Sequence, residues 1–406
     1  MKRFHTPGAT LFGALLISTS LFPASAFASE TMATPERAVP SPEEKAQFSP
    51  VGTLLLDGGL FISPDKQEFP DGVAVPDVRL GVAMKYGKWQ AKVEAGFAYG
   101  KVALKDMWMQ YDFSTTDFLR VGLQMQQFGY QNATAACQKV TMIEPISNTI
   151  FNEPHLIGIQ WFHSADKYFT TLSAHVEPNA SSKVLGRGAE GMSQEGYGFR
   201  TRLVARPYHS SGRMLQAGIS GAFLTPQYHN GEEGDTHDAF SFRANFPSKV
   251  VQVQALSADV SRAMNLWKLT PELMACYGPM ALESQYFFMQ INRRGGLPAF
   301  RAHGAYATLR GLILGGDYQY SMGLAGIANP QKGSLEGVVS YNYTGLSDSR
   351  AGIYGGRLND ISVGVNYYFN RYITGKLRYS ATHVWDRPGL KAHDFSAVQM
   401  RLQLIF

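Results

Sequence analysis

Along the last ten residues apolar and polar side chains largely alternate. Val398, Met400, Leu402, Leu404 and Phe406 fall on one face, and Gln399, Arg401 and Gln403 on the other. A period of two is that of a β-strand, whose successive side chains point to opposite faces. One such strand fits a soluble sandwich as well as a membrane barrel, because both have a dry and a wet face. The number of repeats decides. Ile361, Val363, Val365, Tyr367 and Phe369 alternate with Ser362, Gly364, Asn366 and Tyr368, and a turn is expected at Asn370-Arg371. The return strand then puts Ile373, Gly375, Leu377, Tyr379 and Ala381 outside, and Thr374, Lys376, Arg378, Ser380 and Thr382 inside. Aromatic residues cluster near the strand ends, as an interfacial girdle requires.

A second hairpin is expected at Arg310-Gly311, and further alternating pairs flank Ser114-Thr115-Thr116 and Ser164-Ala165-Asp166. Longer polar stretches, Glu177 to Glu195, Gln227 to His237 and Tyr343 to Leu358, separate these short turns. Short turns on one rim and long loops on the other form the asymmetry of an outer-membrane barrel. At roughly ten residues per strand plus its connections, residues 51–406 suit about 16 strands. The fold expected is therefore all-β, a transmembrane antiparallel up-and-down barrel. Closure is expected too, because an open sheet edge in hydrocarbon leaves backbone groups unpaired at several kcal/mol each.

The beginning of the chain reads differently. Lys2 and Arg3 precede an apolar stretch from Ala9 to Ile17, then Pro23 and two overlapping small-x-small sites, Ala24-Ser25-Ala26 and Ala26-Phe27-Ala28. That is a secretory signal peptide over residues 1–28, with cleavage expected after Ala28. Residues 29–50, rich in Pro, Ser, Thr and Glu, read as a flexible periplasmic lead-in.

Composition supports the barrel. No run beyond Ala28 could make a spanning helix. Aromatics form 12% and charged residues only 17%, with 41 glycines, against about 25% charged residues in ordinary globular domains. The formal charge of +5 becomes +3 once Lys2 and Arg3 leave with the signal, so the partner is set by which charges face the lumen. Cys137 and Cys276 either form one disulfide or stand as separate thiols. They match no zinc pattern.

Assigning lumenal faces by alternation collects Arg79, Lys85, Lys92, Arg120, Arg200, Arg202, Arg206, Arg243, Lys376, Arg378 and Arg401, against Glu94, Asp106, Glu283, Asp317 and Glu336. A lumen that favours anions follows. The densest feature is Arg200-Thr201-Arg202-Leu203-Val204-Ala205-Arg206, three arginines on one face. Arginine stays charged and its planar fork binds phosphate oxygens through paired hydrogen bonds. Alternatively, these arginines pair with acids and line a wide, wet channel. Between Phe128 and Pro154 the chain is too irregular for a strand and too apolar for a solvated loop. It either folds inward as a constriction presenting Lys139 or packs outside as a loop. No serine, histidine or carboxylate set has the spacing of a catalytic site, no P-loop is present, and the basic stripe follows strand alternation rather than a nucleic-acid footprint. Neither an enzyme nor a cofactor is expected.

The ordered segments resemble the phosphate-selective porin O and P family. The carrying residues are TLLLDGGLF (Thr53 to Phe61), VRLGV from Val78, VALKDMWMQYDF from Val102, LRVGLQMQQFG from Leu119, HLIGIQW from His155, RTRLVARP from Arg200, HGAYATLRGLILGGDYQY from His303, and GGRLNDISVGVNYYFN from Gly355 with the terminal Phe406. The resemblance implies a 16-stranded, trimeric, anion-selective channel for phosphate or polyphosphate in the bacterial outer membrane. A ladder of lumenal arginines and a lysine-lined constriction would serve it. Its ladder candidates here are Arg200, Arg202 and Arg206, with Arg79 and Arg243 beside them; Lys139, Lys376 and Arg378 complete the expected anion path. Expected partners are outer-membrane lipids, small anions, two further copies of the chain, and the assembly machinery through the strand ending in Phe406. The sequence departs from the family where Arg79 is followed by Leu80 rather than a second basic residue, and where Lys139 is the one lysine of the expected constriction. A general diffusion porin is the alternative.

Overall fold

The computed structural model describes residues 45–63, 66–153, 155–177, 196–231, 234–390 and 394–406. The expected signal peptide, most of the lead-in and the stretch 178–195 lie outside the described residues. Sixteen antiparallel strands close into one barrel. The first nine are β1 (Gln47–Ile62), β2 (Gly72–Tyr86), β3 (Trp89–Gly96), β4 (Ala103–Asp112), β5 (Asp117–Met125), β6 (His155–Ser164), β7 (Tyr168–Val176), β8 (Tyr197–Ser210) and β9 (Arg213–Leu224). The wall continues with β13 (Ala263–Tyr277), β14 (Met280–Arg293), β15 (Phe300–Leu314), β18 (Leu335–Asp348), β19 (Ile353–Tyr368), β20 (Ile373–Trp385) and β21 (Asp394–Ile405). Closure runs from Thr53↔Ile405 to Ile62↔Ser396 between β1 and β21. The first strand starts at Gln47, four residues before the expected boundary at Val51.

Alternation holds along the walls. On β21, Val398, Met400 and Leu402 are exposed to the lipid side while Gln399, Arg401 and Gln403 are buried within the barrel. The hairpin β19–β20 turns at 369–372, as the pattern around Asn370 predicts. Outward aromatics gather toward both rims: Trp89, Tyr111 and Phe113 form an edge-to-face chain at the turn end, and Phe223 meets Trp267 toward the loop end, 4.8 Å apart. Such rings sit where headgroups meet hydrocarbon.

Two expectations fail on the same physics. The strand does not turn at Arg310-Gly311; β15 runs through both residues, because Arg310 continues the inward face and pairs with Glu336 at 2.8 Å. The chain leaves the wall only after Leu314, and residues 315–334, with the short paired strands β16 (Tyr320–Ser321) and β17 (Gly326–Ile327), fold back into the barrel from the turn end. There Tyr318 is buried, and Asp317, expected on a lumenal strand face, is on no strand. The polar stretch Tyr343 to Leu358 is mostly wall, with a tight connection at 349–352. Within it Thr344 is a buried inward group, while Tyr354 is exposed on the outer face.

At the loop end, β10 (Gln227–Gly231), β11 (Gly234–Asn245) and β12 (Gln254–Val260) form a small sheet between β9 and β13. Its inner side packs Phe240, Phe246, Leu256 and Val260 against inward apolar residues of the wall, among them Leu346, Leu358, Val384 and Phe395. Phe69 meets Phe246 edge-on at 5.2 Å, a favoured aromatic geometry. The two cysteines are separate free thiols.

Candidate functional site: the lumen and its in-folded segments

The irregular segment between β5 and β6 folds inward. Its helical turn Gly129–Ala133 and its helix Ile146–Phe151 bury Gln131, Asn132, Ser147, Asn148 and Ile150 inside the barrel. Without ladder partners, its backbone groups must find side chains, and inward residues of the wall from β9 to β21 supply them. Ser220 accepts from the Gly129 N–H at 2.9 Å, and Gln285 from that of Gln131 at 2.9 Å. Lys268 donates to the carbonyl of Phe151, Asn366 to Val140, Lys376 to Lys139, Arg401 to Met142 and Gln403 to Cys137, all between 2.6 and 2.9 Å. One side of the barrel is thus filled by the loop it holds. The open space lies against β1 to β5.

The arginine stripe is the largest departure from expectation. Arg200, Arg202 and Arg206 do share the inward face of β8, but each is shut away from water. Arg202 is held side-on by Glu272, with Nη2–Oε1 2.7 Å and Nε–Oε2 3.0 Å. Arg200 pairs with Glu153 and donates through Nε to His175. Arg206 pairs with no acid among the described residues; its guanidinium donates to the Asp166, Ala165 and Met322 carbonyls and to Ser164 Oγ. Arg202 likewise reaches the carbonyls of Leu324 and Ala325. The stripe therefore anchors residues 322–325 of the turn-end insert and the end of the β5–β6 loop, and offers no anion a wet step. Burying a guanidinium is costly unless it is paired and hydrogen-bonded; Arg200 and Arg202 are paired with acids, and all three are hydrogen-bonded.

Other expected residues are also placed by pairing. Arg378 meets Asp360 at 2.6 Å and the Pro247 carbonyl at 3.2 Å, and Arg401 is gripped by both oxygens of Asp57 at 2.7 Å. Lys376 is buried on the loop backbone. Arg243 is not on the barrel wall: it lies on β11, half-exposed and bound to Asp259 at 2.6 Å. Lys139 is inside, on the Gln131 carbonyl at 2.6 Å and beside Glu144 at 2.9 Å. Burial by itself raises the Glu144 carboxyl, but Lys139 and Lys249 outweigh it and hold it down to about 2. Alternation could name Arg200, Arg202 and Arg378 as inward; it could not find their partners Glu153, Glu272 and Asp360, which come from a loop and from other strands.

Two cavities lie between the loop and the β1–β5 wall. The outer one is lined by Arg79, Lys105, Lys139, Lys249 and Arg401 against Asp77 and Glu144, with His155. The inner one is lined by Arg79, Lys92 and Arg120 against Asp77, Glu94 and Asp106, together with Trp108, Phe118, Phe162, Ala133, Ala135 and Leu324. Both include Asp77, Arg79, Met125 and Ala136, so they share a boundary there. Arg79 spans it, 2.7 Å from Asp77 and 3.7 Å from Glu94. Lys92 sits between Glu94 at 3.1 Å and Asp106 at 2.8 Å. The turn-end insert closes the far side, where Tyr130 of the loop lies against Gly326. Lys105 and Lys249 enter no ion pair among the described residues. Neither carried a signal in the sequence beyond its charge, because a short strand and a loop place them.

The barrel is similar to solved outer-membrane proteins. It matches the anion-selective porin from Comamonas acidovorans at 10% identity, covering 89% of this chain and 100% of that one with a TM-score of 0.55. OmpT of Vibrio cholerae in its trimer form matches at 9% identity, 89% and 99% coverage and a TM-score of 0.55. The outer membrane channel DcaP of Acinetobacter baumannii matches at 11%, 89% and 97%, with a TM-score of 0.54. No curated protein sequence matches. The model of the family "Phosphate-selective porin O and P" covers residues 63–406, and with the closed 16-strand barrel already described this places the chain in that family as an outer-membrane porin.

Proposed function

We propose that the channel is an anion-preferring porin for passive uptake of small anions, with phosphate or polyphosphate as its solutes, working as a homotrimer. The observation that carries the reading is the lining of the outer cavity, where five cationic side chains meet two lining carboxylates and Asp57 behind Arg401. In a confined space with low-dielectric walls such an excess draws anions in and repels cations. Lys105 and Lys249, in no ion pair among the described residues, and Arg79 between the two cavities are the guiding cations; Lys139 contributes beside Glu144. Arg200, Arg202, Arg206, Lys376 and Arg378 shape the path by holding the in-folded segments. Membership of the family supports phosphate, and the trimeric form of the OmpT neighbour supports the assembly. Export through residues 1–28 and recognition of the strand ending in Phe406 by the assembly machinery belong to the same reading. The chain is read as a channel and not as an enzyme.

Planar-bilayer recording of the purified chain under a potassium chloride gradient tests it. The reversal potential should show chloride more permeant than potassium, and added phosphate should block the chloride current. Cation preference would overturn the reading. The alternative, a general diffusion porin, is favoured by the balanced charges of the inner cavity, where Lys92 is offset by Glu94 and Asp106. Anion preference without phosphate block would select it.

A further inference from the structure

Arg120 stands apart from the other cations of the inner cavity. Its guanidinium lies over the Trp108 ring, 4.0 Å from the centroid, with the rings of Phe118 and Phe162 at 5.6 and 5.4 Å. Those two rings stack on each other at 4.3 Å. Nε and Nη2 both donate to Gln110 Oε1, at 3.1 and 2.7 Å, and Gln110 is in turn fixed by Asp112 at 2.7 Å. The guanidinium is therefore oriented before any ligand arrives. Where Arg79 and Lys92 spend their charge on carboxylates, Arg120 has none within ion-pair distance among the described residues. Its Nη1 meets no acceptor among the described residues and stays open to the cavity that Arg120 lines. Met125, Ala133, Ala135 and Leu324 line the same cavity.

We propose that this corner of the inner cavity is a subsite for carboxylates carrying a planar aromatic body. A hydrated inorganic anion gains only from the charge of Arg120 and must shed water against an apolar wall. An aromatic carboxylate gains twice. Its oxygens meet a pre-oriented planar fork, and its ring leaves water beside Trp108, Leu324 and the alanines of the loop. Binding stays moderate, since one cation and one wall hold it, which suits a solute that must also leave.

The inference rests on the anion-channel reading, and one set of membranes separates the two. The reversal potential in potassium chloride is measured first; cation preference there rejects the channel reading. Benzoate, acetate and inorganic phosphate are then added in turn to the full-length protein. Benzoate is expected to block chloride current at a concentration roughly two- to tenfold lower than acetate, the range of an aromatic contact. Arg120→Gln should abolish that difference. Arg120→Lys, which keeps the charge but cannot lie flat on Trp108, should retain the acetate block and lose most of the benzoate advantage. Equal block by benzoate and acetate in the unaltered protein overturns the subsite, as does a benzoate preference that survives Arg120→Gln.

Discussion

Arg202 reaches Glu272 across an intervening strand, over the bare backbone of Gly218. A Cβ at Gly218 would come 2.8 Å from Glu272 Cγ, so the glycine is what lets the carboxylate lean over β9 to the arginine. The pair then faces a low-dielectric interior, where removal of one partner is far more costly than removal of both.

Arg202→Ala is therefore expected to cost stability rather than selectivity. The loss should be about 3–5 kcal/mol, typical of a buried charge left without its partner. It would be read as a lower temperature for loss of the compact band in a gel-shift heating series. The reversal potential should stay within error of the unaltered channel. Arg202→Ala combined with Glu272→Ala should cost less than the sum of the two. A strong change in chloride preference with no change in melting would return the arginine to the anion path.

The turn-end insert and the β5–β6 loop meet at Gly326, where a Cβ would overlap the Tyr130 ring. Gly326→Val is expected to push the insert away from the loop and loosen the wall of the inner cavity, which Gly323 and Leu324 help to line. Single-channel conductance should rise and become noisier, at a stability cost of about 1–3 kcal/mol for overpacking. Unaltered conductance in a folded variant would mean that the insert does not bound the path.

Phe406 closes the barrel on Gly52. Their backbones exchange hydrogen bonds at 2.8 and 3.1 Å, and the Phe406 ring covers the glycine where a side chain would stand. Gly52→Leu should displace the ring and weaken the β1–β21 seam; Phe406→Ala should vacate it without a clash. Both should lower the fraction of chain recovered as heat-modifiable barrel, Gly52→Leu the more. Normal recovery of Gly52→Leu would show that the ring position is not needed for closure.

The barrel was legible because its signal is local. Inward and outward residues alternate with period two, and the C-terminal hairpin through Asn370 could be placed to the residue. What misled at Arg310-Gly311 was a glycine after a polar residue, which reads as a turn. Arg310 is polar because Glu336, on the next strand, neutralises it. The same limit hid the role of Arg200, Arg202 and Arg206. A period of two says that a side chain faces the lumen, not whether water, an acid or a folded-in carbonyl occupies the space there. Loops that fill a lumen obey no strand period, so Glu153 and the carbonyls of 322–325 could not be matched to their arginines in advance.

The loop end offers a test in which pH separates anchoring from conduction. Glu153, at the end of the β5–β6 loop, takes Lys268 at 2.8 Å and Arg200 on its two oxygens. Burial by itself raises this carboxyl, but Lys268 and then Arg200 outweigh it and hold it down from 4.5 to about 2. A group whose folded value lies below its unfolded one stabilises above the unfolded value, and that stabilisation fades as the pH falls toward the folded one. The anchor is thus complete above about pH 4.5 and is lost as the pH falls toward 2. Single-channel conductance should stay flat from neutral pH down to about 4.5 and change only in stronger acid, as the loop end detaches. Glu153→Gln should show the detached behaviour already at neutral pH, because its neutral amide leaves Lys268 and Arg200 facing each other unpaired. A conductance step between neutral pH and 5 that persists in Glu153→Gln would assign the gating to a different group.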